Sequence, residues 1–335
     1  MLLSRSTLIN LLKFAFAGGL IYYLVVQGTL DFSQFGALLE RPDFILIFAV
    51  FWVVGPVVVG ALRWHVLLTG LEVYLSRMKA MQLQMIGFFF NVAMPGVVGG
   101  DLIKALYVMK HNSKQKAEVM ISVFIDRICG LASMFILAAG ILLVNLSTVM
   151  GFEDANLLIL MVVGCMVGAS LFFATVFLPY SDERDPFHRL LRLSVPGFGV
   201  LRRLYESLRM FRHKPMAVIN AILYGCLIQF SIMLLYSYIF GVISPDQEIP
   251  FASVALAYPL GALVSSIPIS PGGLGVGHVA FDRLFEIVGI SGGANAFNIF
   301  ILIHMAFNLL GCIPFLFYRA HGEVITASEI EKATG

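Results

Sequence analysis

The sequence predicts an all-α polytopic membrane protein, with six full spans and two re-entrant helical hairpins in an inverted-topology repeat. Three observations support this fold class: the composition, a set of long apolar stretches, and two apolar segments broken by Pro and Gly. Hydrophobic residues form 59% of the 335-residue chain and charged residues 13%, whereas soluble domains carry about 25% charged residues. The mean hydropathy is +0.91. These values exclude a soluble domain, a disordered chain and a fibrous repeat.

Six stretches are apolar and long enough to cross a bilayer, which takes about 20 helical residues. They lie at roughly 8–27, 44–68, 118–145, 156–179, 216–241 and 295–318. The first stretch follows Arg5 and Lys13, and no A-x-A cleavage site comes after it. This favours a retained first span over a removed signal peptide.

Loop charges predict the orientation of these spans, because Lys and Arg are retained on the cytoplasmic side. The connections near 28–43, 146–155 and 242–250 are acidic, and those near 69–79, 110–117 and 180–215 are basic. We therefore expect a multi-pass protein of the plasma (inner) membrane with both termini in the cytoplasm.

An apolar stripe surrounded by arginines lies in the basic 180–215 loop. The stripe consists of Leu201, Leu204, Leu208 and Phe211. It predicts an amphipathic basic helix, which either lies on the anionic inner leaflet or serves as a topology anchor.

Two further apolar segments, at roughly 80–109 and 251–291, are broken in the middle by Pro and Gly. Each is long enough for two half-length helices but not for two full spans. By the loop charges, the first segment begins and ends in the cytoplasm and the second begins and ends outside. Both should therefore be re-entrant hairpins, whose irregular tips the membrane tolerates only where protein or a water-filled cavity covers them.

The order of spans and hairpins repeats with opposite orientation in the two halves of one integral membrane domain (1–335). The halves are about 1–150 and 151–320. Both tips read P-G-x-x-G, with Pro95, Gly96 and Gly99 in the first and Pro271, Gly272, Gly273 and Gly275 in the second. Inverted repeats with interrupted helices are typical of transporters. The alternative is that P-G-x-x-G is a common tight-turn pattern that matches by chance.

The first tip is followed by a group of polar residues. Asn91 precedes it, and Gly100, Asp101 and Lys104 follow it. Asp101 and Lys104 are three positions apart on a helix and can pair on one face. The free N–H groups at the helix start can hold an anion such as a phosphate, or Asp101 can serve as a helix cap.

The second tip is followed by His278, Asp282 and Glu286, which recur every four residues and form one polar stripe beside Arg283. The stripe predicts either a structural salt-bridge cluster or a polar track for a headgroup or protons. One metal ion cannot collect all three side chains, because the stripe rises too far along the helix.

Ionisable residues also lie inside the third and last spans, where they are costly and usually functional. Arg127 can hold a phosphate or neutralise Asp101, and Asp126 and His304 can carry a proton; Asn308 shares the face of His304. At the end of the second span, Arg63-Trp64 predicts an interfacial anchor.

Several chemistries have no signal in the sequence. We find no Walker A motif, G-x-S-x-G, H-E-x-x-H or C-x-x-C, so we expect no ATPase engine, no cofactor and no metal. The net charge of +2 is too small to indicate a nucleic-acid partner.

The tips and the Asp126-Arg127 pair with Gly130 resemble the lysylphosphatidylglycerol synthase transmembrane (flippase-like) family. The most specific match is the P-G-G-L-G-V run from Pro271 to Val276. In two-part relatives, the membrane half moves an aminoacylated lipid between leaflets and a separate soluble half makes that lipid. The resemblance therefore implies a translocase-like membrane domain without the soluble aminoacyl-transferase domain. His278 departs from the family pattern, which commonly has Glu there.

The sequence thus predicts a lipid translocase that moves an anionic, aminoacylated or polyprenyl-linked headgroup between leaflets. Membrane lipids are the expected partners. Two alternatives remain open: a membrane-embedded enzyme acting on a lipid-linked substrate, and a non-catalytic subunit that works with a separately encoded lipid-modifying enzyme.

Overall fold

The computed structural model describes residues 40–93, 99–112, 114–151, 154–178, 198–267 and 273–320, with isolated positions before residue 40. Every regular element in these ranges is helical. In chain order the main helices are α1 (Pro42–Gly70), α2 (Arg77–Ala93), α3 (Gly99–His111), α4 (Lys116–Val144), α5 (Ala155–Phe177), α6 (Phe198–Met210), α7 (Pro215–Ile243), α8 (Phe251–Ser266), α9 (Val276–Ile287) and α10 (Gly293–Ala320).

Five of these helices, α1, α4, α5, α7 and α10, are long and apolar enough to cross a membrane. They correspond to the second to sixth predicted spans, so a multi-pass helical membrane protein is confirmed. Most of the first predicted span, at 8–27, lies outside the described residues. Helix α5 is peripheral, since 11% of its apolar window is buried within the protein.

The two broken apolar segments each form a pair of short helices, as predicted. Helices α2 and α3 contain 17 and 13 residues, and α8 and α9 contain 16 and 12. All four are shorter than the roughly 20 residues that a span requires. The tip residues 94–98 and 268–272 lie outside the described residues, and with them Pro95, Gly96, Pro271 and Gly272.

Glycine allows the helices of the first pair to pack closely. A Cβ atom on Gly100 of α3 would overlap the carbonyl oxygen of Gly87 on α2. In the second pair, a Cβ on Gly277 of α9 would overlap the ring of Phe297 on α10. In both places the contact requires a glycine without a Cβ atom, which is how small residues promote helix packing in membranes.

The described part of the second tip requires glycine for a different reason. Gly273 and Gly275 have φ angles of 74° and 79°, which a residue with a Cβ atom rarely adopts. The N–H of Gly275 donates to Nδ1 of His278 at 3.2 Å. This bond closes the turn that leads into α9.

Two sets of four helices agree in order and length. The first set is α1 to α4 and the second is α7 to α10, with long helices of 29 and 29 residues at the start and of 29 and 28 residues at the end. The short pairs lie between them. Corresponding positions can therefore be counted from the start of each helix.

The long helix α1 joins two separate apolar cores. Its first half contributes Phe44, Phe48 and Trp52 to a core with α7, α8, α9 and α10. Its second half contributes Trp64 and Leu67 to another core with α2, α3 and α4. Between the halves, the stretch Val53–Val59 is a π-helix around Pro56, a residue that lacks a backbone N–H donor.

The basic 180–215 loop contains the helix α6, in the region where the sequence predicts an amphipathic helix. Leu208 is buried, and so is Phe211, which follows α6. Both belong to the core around Trp64. These two residues of the apolar stripe therefore pack on protein rather than on a lipid surface, whereas the side chains of Leu201 and Leu204 lie outside the described residues.

Candidate functional site

Asp101 forms the centre of a buried group of charges. Nε of Arg127 donates to its carboxylate at 2.7 Å, and Nζ of Lys104 lies 3.0 Å from its other oxygen. The pairing of Asp101 with Lys104 that the spacing predicted is therefore present. Arg127 neutralises Asp101, which is one of its two predicted roles, and the binding of a phosphate stays a prediction.

A second ion pair joins α1 to α4. Nε and Nη2 of Arg63 donate to the two carboxylate oxygens of Asp126 at 2.7 and 3.0 Å. Such a bidentate geometry is the strong form of the ion pair. We call Arg63, Asp101, Lys104, Asp126 and Arg127 the charge cluster.

The expectation that Arg63-Trp64 anchors the chain at the membrane interface is wrong. Trp64 is fully buried, and its Nε1 donates to Oγ of Ser122 at 3.1 Å. Nζ of Lys104 lies 4.7 Å from the centre of the Trp64 ring, a cation–π contact that gains strength away from water. The prediction for Arg63 fails because its partner Asp126 lies 63 residues away in the sequence, so no local pattern indicates the ion pair.

The neighbouring positions of Asp126 and Arg127 explain how α4 holds both pairs. Consecutive helical residues point in different directions, so Asp126 reaches α1 while Arg127 reaches α3. Charged groups inside a membrane protein are stable only when paired or facing a cavity. The two pairs therefore join three helices of the first set.

A cavity of about 330 Å³ lies where both short pairs meet the long helices α4, α7 and α10. Its polar lining comprises Asn91, Arg127, Tyr236, Tyr258, Ser265, Ser266, His304 and Asn308, and its apolar lining Val92, Ala262, Phe281, Phe297, Phe300, Ile301 and Met305. Arg127 is the charged member among these residues. Asp101 and Lys104 lie behind Arg127 rather than on the wall.

The polar wall residues occur at corresponding positions of the two sets. Asn91 stands at the same position in α2 as Ser265 in α8. Arg127 stands at the same position in α4 as His304 in α10. Each set therefore has a polar residue at one corresponding position of a short helix and at one corresponding position of a long helix, and the second set adds Tyr236, Tyr258, Ser266 and Asn308.

Asn91 also fixes the start of α3. Its Oδ1 accepts a hydrogen bond from the N–H of Gly100 at 2.9 Å. This amide, expected either to hold an anion or to be capped by Asp101, is thus occupied by Asn91. The Asp101 carboxylate is engaged by Lys104 and Arg127 instead.

His304 carries an unsatisfied polar atom at the cavity. Its ring stacks on Phe300 at 5.4 Å between centroids, with an angle of 10° between the planes. Its Nδ1 is buried and has no hydrogen-bond partner among the described residues. Such atoms are rare and costly in native proteins, by about 1–3 kcal/mol, unless water or a ligand binds them.

The aromatic lining packs as one group, which we call the aromatic cluster: Tyr236, Tyr258, Phe281, Phe297 and Phe300. Tyr236 lies at its centre and stacks on Phe281 at 5.3 Å and on Phe300 at 5.1 Å. Phe281 and Phe297 approach to 4.7 Å. The second set therefore faces the cavity with packed rings.

The polar stripe of α9 does not reach this cavity. His278 is fully buried, with Nε2 3.3 Å from Oδ1 of Asn298. Asp282 accepts the N–H of Ala294 at 3.5 Å. Glu286 pairs with the exposed Arg283 at 2.9 Å. The three stripe residues therefore have different partners, and no hydrogen bond joins them to one another within the described part of the chain.

Comparison with protein families identifies the chain. The model of the family described as "Lysylphosphatidylglycerol synthase TM region" matches residues 10–313. The chain belongs to this family. A similar protein of Pyrococcus horikoshii, the UPF0104 membrane protein PH1989, is 24% identical over 277 residues, which cover 76% of this chain and 80% of the relative. No solved structure matches.

Family membership agrees with the resemblance of the tips, but several cavity residues have no motif. Ser265, Ser266, Tyr236 and Tyr258 were missed because isolated hydroxyl groups in apolar helices carry little sequence signal. The correspondence of Ser265 with Asn91 is the signal that could have found the first of them.

Proposed function

We propose that this member of the family is a lipid translocase of the plasma (inner) membrane. It would move an anionic, aminoacylated or polyprenyl-linked headgroup through the cavity while the acyl chains stay in lipid. The observation that carries the proposal is the cavity itself, lined by Asn91 and Arg127 from the first set and by Ser265 and His304 from the second. Sites between repeats near the bilayer midplane are the usual place for substrates in transporters.

The proposal includes the topology. The two helix sets are an inverted repeat, each short pair is a re-entrant hairpin, and both termini face the cytoplasm. The matching order and lengths of the helices support this arrangement. Single-cysteine variants labelled with an impermeant reagent test it. A C-terminus labelled only from outside would contradict the inverted arrangement.

Each site residue has a proposed role in this mechanism. Asn91 and Arg127 contact the headgroup, and Asp101 and Lys104 orient the Arg127 guanidinium. His304 carries a proton or a hydrogen bond at the opposite wall. A bare charge at the bilayer centre costs about 3 kcal/mol or more, so paired groups lower the barrier to headgroup entry.

The remaining site residues act farther from the cavity. Asp126 balances Arg63. His278 positions the second tip through Gly275, and Asp282 and Glu286 tune the charge of the outer hairpin.

Reconstitution of the purified protein into liposomes tests translocation. The vesicles carry a fluorescent phospholipid in both leaflets, and a quencher added outside reports how much lipid becomes accessible with time. We expect quenching beyond the outer-leaflet fraction, and we expect Arg127→Ala to abolish the excess. Arg202→Ala is the matched control, because this arginine pairs with Glu206 on the exposed surface of α6 and should leave the rate unchanged.

Two outcomes would contradict the proposal. Equal translocation rates for the wild type and Arg127→Ala would show that the headgroup does not pass through this cavity. The absence of excess quenching with any lipid would reject translocation by the chain alone and favour a subunit of a lipid-modifying complex.

A further inference from the structure

We propose that the cavity selects a lipid whose headgroup carries one net negative charge on a phosphate, and that it rejects aminoacylated headgroups of net positive charge. This inference rests on the proposed translocase function and specifies its substrate class. It follows from the balance of buried charges around the cavity.

The charge cluster contains more cations than anions. Arg63, Lys104 and Arg127 face the two carboxylates of Asp101 and Asp126. One carboxylate is taken by Arg63, and the other is shared by Lys104 and Arg127. The undescribed tip residues, 94–98 and 268–272, contain no ionisable side chain. The cluster and the tips together thus carry a surplus of one positive charge.

The surplus charge is presented to the cavity by Arg127. Its side chain is 37% exposed, compared with 14% for Arg63 and 2% for Lys104. Arg127 is also the member of the charge cluster that lines the cavity. Nε and Nη2 of Arg127 bind Asp101, and the planar guanidinium has the geometry that matches a phosphate.

A lipid phosphate diester matches this surplus. It carries one negative charge and binds a guanidinium with two parallel hydrogen bonds. Neutralisation by such a ligand would remove the cost of an unbalanced charge within the membrane. Across the cavity, Nδ1 of His304 is buried without a described partner, and it offers a hydrogen bond to the same headgroup.

A cationic headgroup finds no comparable partner. No carboxylate lines the described wall of the cavity, so an ammonium group would add to the existing positive charge. Aromatic faces can bind ammonium groups, but the rings here cover one another. Tyr236 stacks on Phe281 and Phe300, and Phe300 stacks on His304.

The experiment compares lipids that differ in net headgroup charge. Neutral phosphatidylcholine vesicles contain a trace of an acyl-labelled lipid: phosphatidylglycerol, phosphatidylethanolamine or lysyl-phosphatidylglycerol. We expect phosphatidylglycerol to move at least about tenfold faster than lysyl-phosphatidylglycerol, because unit charges at close range in a low dielectric interact by more than the energy of a tenfold change. Equal rates would overturn the charge selection and leave translocation intact, and faster lysyl-phosphatidylglycerol would overturn it as well.

A variant that neutralises the surplus positive charge at the cavity gives a second test of the charge selection. Ser266 lines the cavity, and its Oγ donates a hydrogen bond to the carbonyl oxygen of Leu263 within the same helix. Ser266→Asp places a carboxylate on the wall, and Ser266→Asn is its uncharged control of nearly the same size. We expect the Asp variant to reduce the rate for phosphatidylglycerol and raise it for lysyl-phosphatidylglycerol, with no such exchange in the Asn variant. Identical lipid preference in both variants would contradict the inference.

A binding measurement keeps the inference testable if no lipid moves. In detergent, short-chain phosphatidylglycerol should raise the Tm of the wild-type protein but not that of Arg127→Gln, and the cationic lipid should raise neither. A shift with inorganic phosphate and with no lipid would overturn the assignment to a lipid. If no lipid moves but phosphatidylglycerol still binds selectively, the translocase proposal fails and the charge selection stands. If all lipids bind equally well, the charge selection fails.

Discussion

The charge cluster and the aromatic cluster share two corresponding positions in the two helix sets, and two further residues of the charge cluster correspond to histidines. Counted from the helix starts, Arg63 corresponds to Tyr236, Asp101 to His278, Lys104 to Phe281 and Arg127 to His304. The first set therefore joins its helices with ion pairs where the second joins them with stacked rings.

This difference shows that one backbone arrangement can be held by two kinds of interaction. In a membrane, apolar surface gives little net drive for helices to associate, so close packing and polar pairs must do so. Stacked rings tolerate the loss of one contact. A buried ion network does not, because each charge depends on the others. Single changes should therefore cost more in the charge cluster.

The largest effect is expected for Asp101→Asn. This change leaves Lys104 and Arg127 without the carboxylate they share, and breaking a buried pair costs about 3–5 kcal/mol. The folded fraction in detergent, measured by size-exclusion chromatography, should fall sharply. Asp43→Asn is the control, because Asp43 pairs with Arg41 at the exposed end of α1, where ion pairs contribute about 0–1 kcal/mol. Equal losses in the two variants would contradict a special role for the cluster.

A smaller effect is expected for Gly100→Ala, compared with Gly277→Ala at the corresponding position of α9. The new methyl group at residue 100 would meet the backbone of Gly87, whereas at residue 277 it would meet the ring of Phe297. A ring can shift and a helix backbone cannot easily do so. We expect a loss of about 1–3 kcal/mol for Gly100→Ala and less for Gly277→Ala, measured as the change in Tm.

Gly140→Ala controls for the effect of a methyl group on a helix. Nothing lies within 4 Å of the added atom at that position, so helix propensity alone should leave the Tm equal or slightly higher. If Gly277→Ala lowered the Tm more than Gly100→Ala, the second helix pair would be the more rigid one.

The smallest expected effect is the difference in Tm between Trp64→Phe and Trp52→Phe, the two tryptophan variants of α1. Trp64 donates to Ser122 in the core of the first set, and Trp52 donates to Asn308 at 2.8 Å in the other core. Replacement of either by Phe removes one hydrogen bond, worth about 1 kcal/mol. Trp64→Phe also weakens the contact with Lys104, so its Tm should fall further than that of Trp52→Phe. Equal shifts would mean that the cation–π contact adds no stability.

Local patterns predicted much of the fold. Apolar length identified the spans that correspond to α1, α4, α5, α7 and α10, and Pro and Gly identified the segments that form pairs of short helices. The pairing of Asp101 with Lys104 followed from a three-residue spacing. These features depend on residues close together in sequence, where helix geometry fixes the distances.

Long-range partners could not be predicted in the same way. Arg63 at the end of an apolar run has the pattern of an interfacial anchor until Asp126 is brought to it. The stripe of His278, Asp282 and Glu286 shares one helix face, but α9 meets different neighbours along its length. His278 therefore lies against Asn298, while Glu286 is exposed. The periodicity of a sequence predicts which residues share one face of a helix, but it does not predict which other helices pack against that face.

The π-helical stretch Val53–Val59 sets the angular register between the two halves of α1. Before it, Trp52 points into one core, and after it Arg63 points at Asp126. Each residue turns an α-helix by about 100°, so one deletion in this stretch would swing Arg63 away from its carboxylate while leaving Trp52 in place. An insertion or deletion in this apolar run would therefore act on the buried charges several residues away.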